Sequence, residues 1–206
     1  GYSSQTPPVT PFGLPITPTL LPTVIGNNSV TLSWTAVSPT ASPITSYIVT
    51  RSDDPTFELI TSGGSTGTCQ ITSGLTIGTP VTFYVKSRSL IGLSAAAASV
   101  TLTPLSVPDT PAQFVAYVGK TVGTAILYWI PASPFYDGAT PLTGYTITYN
   151  GTTKNVPATA LTLLVTGLTP GGNVTFSLVA KNKIGSSGEL TASINVVDPP
   201  VPPVKV

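Results

Sequence analysis

The sequence predicts an all-β chain built as two consecutive β-sandwiches. Three observations carry that expectation. The 206 residues include 22 Pro and 19 Gly, spread among runs rich in Val, Thr and Ile, which is the composition of short strands and turns rather than helices. Those runs alternate apolar and polar residues with the period of two that buries one face of a strand. Finally, landmarks of the first half recur in the second. Trp34 and Trp129 lie 95 residues apart, Tyr47 and Tyr145 98, Leu75 and Leu168 93, and Gly92 and Gly185 93. A near-constant offset is an internal repeat, and each half is long enough to bury its own core.

Residues 1–14 carry three prolines without apolar periodicity and read as an extended, polyproline-like arm or linker. The first domain is expected over 15–104. In Ser29-Val-Thr-Leu-Ser-Trp34, Val30, Leu32 and Trp34 alternate inward while Thr31 and Ser33 face out. Pro43-Ile-Thr-Ser-Tyr47 opens the next strand, and Pro55–Ile60 with Gly63-Gly64 supplies turn chemistry. Val81, Phe83 and Val85 point inward from the following strand, and Ala98–Thr103 closes the domain. Residues 105–111 are expected to be a short, semi-rigid Pro-rich joint. The second domain is expected over 112–198, with Ala125, Leu127 and Trp129 on one inner face and Tyr145, Ile147 and Tyr149 on the facing one. Residues 199–206, with their prolines, repeat the linker character. A chain starting at Gly1 rather than Met is expected to be a piece of something longer.

Thr124–Tyr149 is the most telling stretch: a strand closed by Trp129, a Pro-rich loop with Asp137-Gly138, then Gly144-Tyr145 opening the next strand. Gly167-Leu-Thr-Pro-Gly171 and Val179-Ala-Lys-Asn-Lys-Ile-Gly-Ser-Ser187 follow at the expected places. Taken in order, and found twice, these motifs resemble the fibronectin type III family, over about residues 15–198. The resemblance implies two consecutive seven-stranded immunoglobulin-like sandwiches with Pro-rich extended ends. It also implies a spacer or adhesive role without naming a receptor. The Arg-Gly-Asp loop of some relatives is absent. One departure occurs in both copies: the family usually places a Tyr six residues after the turn Leu, tying the corner to the backbone, whereas Val81 and Val174 stand here. The loss is expected to cost about 1 kcal/mol per domain.

Chemistry is sparse. The chain has no His, which removes His-based triads and His metal ligands. The seven carboxylates, Asp53, Asp54, Glu58, Asp109, Asp137, Glu189 and Asp198, are scattered over loops and joints of two domains, not paired across a cleft as glycoside hydrolysis requires. No enzymatic activity and no cofactor are expected. Asp53-Asp54 is too small a donor set for a calcium cage. Cys69, alternating with Ile71, is expected to be a small buried hydrophobe, with an intermolecular disulfide as the alternative. Asn27, Asn150 and Asn173 head Asn-x-Ser/Thr triplets and are possible N-glycosylation sites. Asn27 and Asn150 fall at expected turns, Asn173 at a strand start where it is less accessible. Phe135 and Tyr136, adjacent on a loop at one end of the sandwich, are candidate contact residues. Ile126, Tyr128 and Leu164 are expected to face out of one sheet and to form a contact surface there.

Charged residues are only 7 % of the chain and the net charge is +1, against roughly 25 % charged in an ordinary soluble domain. Nothing attracts nucleic acid or anionic lipid, and no stretch approaches the ~20 apolar residues of a membrane-spanning helix. Solubility falls to Ser and Thr hydroxyls, which suits a glycosylated surface or one covered by neighbours. The expectation is a non-catalytic extracellular structural or adhesive module pair, a building block of a surface fibre, sheath or virion. Its partners would be copies of itself or neighbouring modules, and glycans. Two alternatives stand beside it. One is a pair of spacer modules of a secreted polysaccharide-degrading enzyme. The other is a receptor ectodomain fragment gripping a protein ligand through Phe135, Tyr136 and the Leu90-Ile91 and Lys183-Ile184 loops.

Overall fold

The computed structural model describes residues 13–36, 43–132 and 137–197. All regular structure among them is strand, and the chain divides into two compact units, Gly1–Pro104 and Leu105–Val206.

In the first unit, β1 (Thr19–Leu20) and β2 (Val24–Gly26) both pair antiparallel with β3 (Ser29–Thr35), whose other edge pairs with β6 (Thr66–Ile71). The opposing sheet has the order β5 (Glu58–Ser62), β4 (Ile44–Arg51), β7 (Val81–Ser89), β8 (Ala98–Leu102). The first strand is split because Pro22 offers no N–H to a ladder, and the pairing with β3 slips by one residue across the break. Between the sheets lie Val30, Leu32, Trp34, Tyr47, Val49, Val81, Phe83 and Val85, each fully buried. The alternation expected for β3 and β7 is therefore the observed one.

The second unit repeats the plan with seven strands. A three-stranded sheet of order β13 (Thr162–Val165), β10 (Ala125–Ile130), β9 (Gln113–Val118) faces a four-stranded one of order β12 (Thr152–Pro157), β11 (Gly144–Tyr149), β14 (Asn173–Lys181), β15 (Leu190–Asn195). Its core is built from Ala125, Leu127, Trp129, Tyr145, Ile147, Phe176 and Leu178. In both units the core Trp meets the Tyr of the facing sheet edge-on, Trp34 with Tyr47 at 5.2 Å and Trp129 with Tyr145 at 5.5 Å between ring centroids. Edge-to-face packing puts the positive rim of one ring on the negative face of the other.

Val81 and Val174, at the position where a corner Tyr would stand, are buried apolar residues. Main-chain bonds hold the corners instead: Gly78 N donates to Pro104 O at 2.9 Å in the first unit, and Leu168 N to Gly123 O at 2.9 Å and Gly171 N to Val196 O at 2.6 Å in the second. Residues 105–111, expected as a joint, make their contacts with the second unit. Leu105 is buried, Ser106 N donates to Gly138 O at 3.1 Å, and Ser106 O accepts from Asn182 Nδ2 at 2.8 Å. Asn182, itself buried, also donates to Asp137 O at 2.8 Å and accepts from the backbone N–H groups of Ile184 and Gly185 at 2.8 and 3.1 Å. The Asn of the motif is thus a clamp between three loops, with its donors and acceptor satisfied inside the protein.

Candidate functional site

The outer face of the β13–β10–β9 sheet is where the structure departs most from a solvated β-surface. Inward alternation of Ala125, Leu127 and Trp129 forces Ile126, Tyr128 and Ile130 outward. Strand register then decides their neighbours. Tyr117, Ile126 and Leu164 form one row across the sheet, and Val115, Tyr128 and Thr162 the next. Tyr117 is 57 % exposed, Tyr128 46 %, Ile130 53 % and Leu164 61 %. The two tyrosines pack edge to face at 5.9 Å, which stiffens the surface they present. Four side chains left about half bare amount to on the order of 400 Å² of contiguous, largely apolar surface, within the range at which such patches become contact sites. The matching face of the first unit carries Thr31 beside Gln70, and Ser33 bonded to Thr68 at 3.2 Å.

Ile126, Tyr128 and Leu164, predicted as contact residues, thus share one face, with Ile126 half-buried between its neighbours. Tyr117 and Ile130 join them. Ile130 was legible from the alternation of its own strand. Tyr117 was not, because only the pairing of β9 with β10 brings it beside Ile126. Phe135 and Tyr136 lie outside the described residues.

The three sequon asparagines are separate from this face's apolar rows and from each other in sequence. Asn27 is exposed just before the left-handed Asn28 (φ 48°), and Asn150 heads the β11–β12 turn with φ 45°, followed by Gly151 at 73°. Both central turn residues at positive φ match the tight hairpin turn that Asn-Gly favours. Asn173, expected to be less accessible, is exposed as well at the start of β14. Leu90 and Ile91 stand exposed on the loop after β7, whereas Ile184 is half-buried.

Cys69 faces the core opposite Leu32 and is buried, and burial pushes its thiol up to about 11. A thiol in that setting is inert. Asp53 and Asp54 both face Arg51, with Asp53 Oδ1 3.2 Å from Nε and Asp54 Oδ2 3.4 Å from an Nη atom. Arg51 is buried, lies over the Phe57 ring at 4.7 Å and donates to Ser73 O at 3.2 Å. Both carboxylates are committed to neutralising that guanidinium. Among the described residues no three His, Cys, Asp or Glu side chains form a group able to hold a metal ion.

Residues 109–197 match the sequence model of the Fibronectin type III domain. The chain is 33 % identical over 199 residues to Chitinase A1 of Niallia circulans, an alignment covering 89 % of this chain and 26 % of that protein. It is 33 % identical over 181 residues to Endoglucanase B of Cellulomonas fimi, covering 82 % of this chain and 17 % of the endoglucanase. It therefore spans about a quarter or less of the length of these relatives. Among solved structures, the FN1-FN3 domains of chicken CNTN1 superpose with a TM-score of 0.52 at 14 % identity, over 91 % of this chain and 69 % of that one. That likeness is one of fold.

Proposed function

This chain belongs to the fibronectin type III family, matched over residues 109–197 and repeated in the strand plan of the first unit, and from that premise we propose that it is a non-catalytic module pair of a larger secreted protein. Its work is to space neighbouring domains and to dock weakly on other protein modules, copies of itself included. The observation that carries docking is the outer face of the β13–β10–β9 sheet, where Tyr117, Tyr128, Ile130 and Leu164 stand exposed together. The apolar atoms of that surface make no hydrogen bonds to water, so covering them is favourable by roughly 25 cal/mol per Å². At on the order of 400 Å² it falls short of the ~800 Å² per partner of a stable dimer, so contacts between free copies are weak and gain strength when tethering supplies effective concentration.

The relatives favour one setting over the others weighed. Chitinase A1 and Endoglucanase B are much longer than this chain, which supports accessory spacer modules in a secreted polysaccharide-degrading enzyme ahead of a subunit of a fibre, sheath or virion. Sedimentation of the chain and of Tyr128→Ser/Leu164→Ser up to about 1 mM tests the docking face. The native chain should associate weakly, with a Kd on the order of hundreds of micromolar, and the double variant should remain at 21.0 kDa. Identical monomers at every concentration would overturn docking through this face. Large regular assemblies of the native chain would restore the fibre reading.

A further inference from the structure

The first unit places its few charges in two groups only. Residues 1–104 contain six charged side chains, Arg51, Asp53, Asp54, Glu58, Lys86 and Arg88. The first three form one ion-paired group, with both carboxylates facing the buried Arg51 guanidinium. The other three, Glu58, Lys86 and Arg88, all line one groove of about 370 Å³ on the outer face of the four-stranded sheet. Among the described residues neither Lys86 nor Arg88 has an ion-pair partner.

The groove has an apolar floor and a polar rim. Ile48, on the outward side of the central strand β4, is only 7 % exposed, and Leu93 adds to the floor. Tyr84, Lys86 and Arg88 occupy alternate positions of β7, so they project from the same face about 7 Å apart. Tyr84, 37 % exposed, offers an aromatic ring beside Lys86, with Arg88 one step further along the same face. Glu58 stands in the same row, reached from Tyr84 through Thr50, and supplies an acceptor.

From this arrangement we infer that the groove is a binding site for an acidic saccharide, a short run of carboxylate-bearing sugars. A sugar ring has an apolar face to lay on Tyr84 and Ile48, hydroxyls to donate to Glu58, and a carboxylate to sit between Lys86 and Arg88. The volume lies in the range of small-ligand sites, about 300–1,000 Å³. An extended peptide fits less well. β4, the strand beneath the centre of the groove, is paired on both edges, with β5 and β7, so it has no free edge to offer a peptide main chain. The site stands on the first unit's surface alone and is independent of the docking face of the second.

The test is a titration of the full chain with tri-galacturonate, followed by backbone amide chemical shifts and calorimetry, at about 20 mM and about 300 mM salt. Shifts should map to β4 and β7. Affinity should fall as the Debye length shortens from roughly 20 Å to under 8 Å, and cellotriose should bind about tenfold more weakly for want of the charged partners. Lys86→Ser/Arg88→Ser should lose about tenfold for tri-galacturonate while leaving cellotriose unchanged, and Tyr84→Ser should weaken both sugars. All three positions are at the surface, and an unaltered urea midpoint confirms that each variant is folded. Binding equal for the two sugars, shifts outside this face, or a double variant that binds tri-galacturonate like the native chain would overturn the site. So would a Glu-rich peptide that binds the groove more tightly than the saccharide.

Discussion

Asn182→Ala is the most informative single change in the second unit. The side chain is 6 % exposed and makes four hydrogen bonds, two donated to the carbonyls of Ser106 and Asp137 and two accepted from the amides of Ile184 and Gly185. Truncation removes all four. At about 1 kcal/mol each the ceiling is about 4 kcal/mol. Ser106 is only half-buried, so its carbonyl recovers part of its bond from water, and the expected loss is about 2–3 kcal/mol. Hydrogen exchange reads that loss unit by unit. The amides of β14, paired on both edges, exchange through global opening and should do so about 30- to 150-fold faster in the variant. The repeat supplies a control. Among the described residues Ser89, at the equivalent position of the first unit, accepts one bond, from Ile91 N at 3.2 Å. Ser89→Ala should therefore cost about 1 kcal/mol or less, no more than about fivefold in the β7 amides. An Asn182→Ala acceleration below threefold, or one matched by Ser89→Ala, would refute the assignment of Asn182 as a clamp.

Three further outcomes follow from the same structure. Gly67→Ala places a methyl 2.3 Å from Trp34 Nε1, so the indole must shift, and a urea titration should show a loss of about 1–3 kcal/mol in the first unit. Cys69 should resist a thiol reagent in the native chain at pH 8 and react at once in urea. Its folded thiol ionises at about 11 against an ordinary 9.0, so the unfolded chain sheds its proton first. That contribution to stability is complete below pH 9 and is lost as the pH rises toward 11. The Asp54 carboxyl is held below its ordinary value by the Thr56 hydroxyl and backbone N–H, with help from Arg51. The unfolded chain therefore takes up the proton first, and stability falls as the pH drops through the acid range. Thr56→Ala should move the Asp54 titration upward in a carboxyl-carbon NMR titration, and an unmoved titration would leave the shift to the Thr56 backbone N–H and Arg51.

The outward residues of the second unit show where reading from one dimension stops. Ile126 and Tyr128 followed from period-two alternation about an inward Trp129, and Leu164 from its place between Leu163 and Val165, because in a strand the facing of one residue dictates that of its neighbours. Tyr117 and the row it completes did not follow, since register is set between strands distant in sequence. The groove of the first unit is of the same kind. Lys86 and Arg88 are two apart on one strand, an ordinary spacing in the sequence. Their joining with Glu58 and Ile48 needs three strands laid side by side.

The all-β class, the two-domain repeat, the inward residues of the central strands and the family resemblance can all be read along the chain. Each of these rests on local alternation, turn chemistry or a constant offset, which are properties of the chain as written. Three dimensions were needed to show that residues 105–111 bond to the second unit, that main-chain bonds stand in the corners that lack a Tyr, that Tyr117 completes the apolar face, and that Glu58, Lys86 and Arg88 share one groove with Ile48. Those facts depend on which strands lie beside which. Pairing is a long-range choice, made by whole sheets burying their inner faces, and no window of sequence contains it.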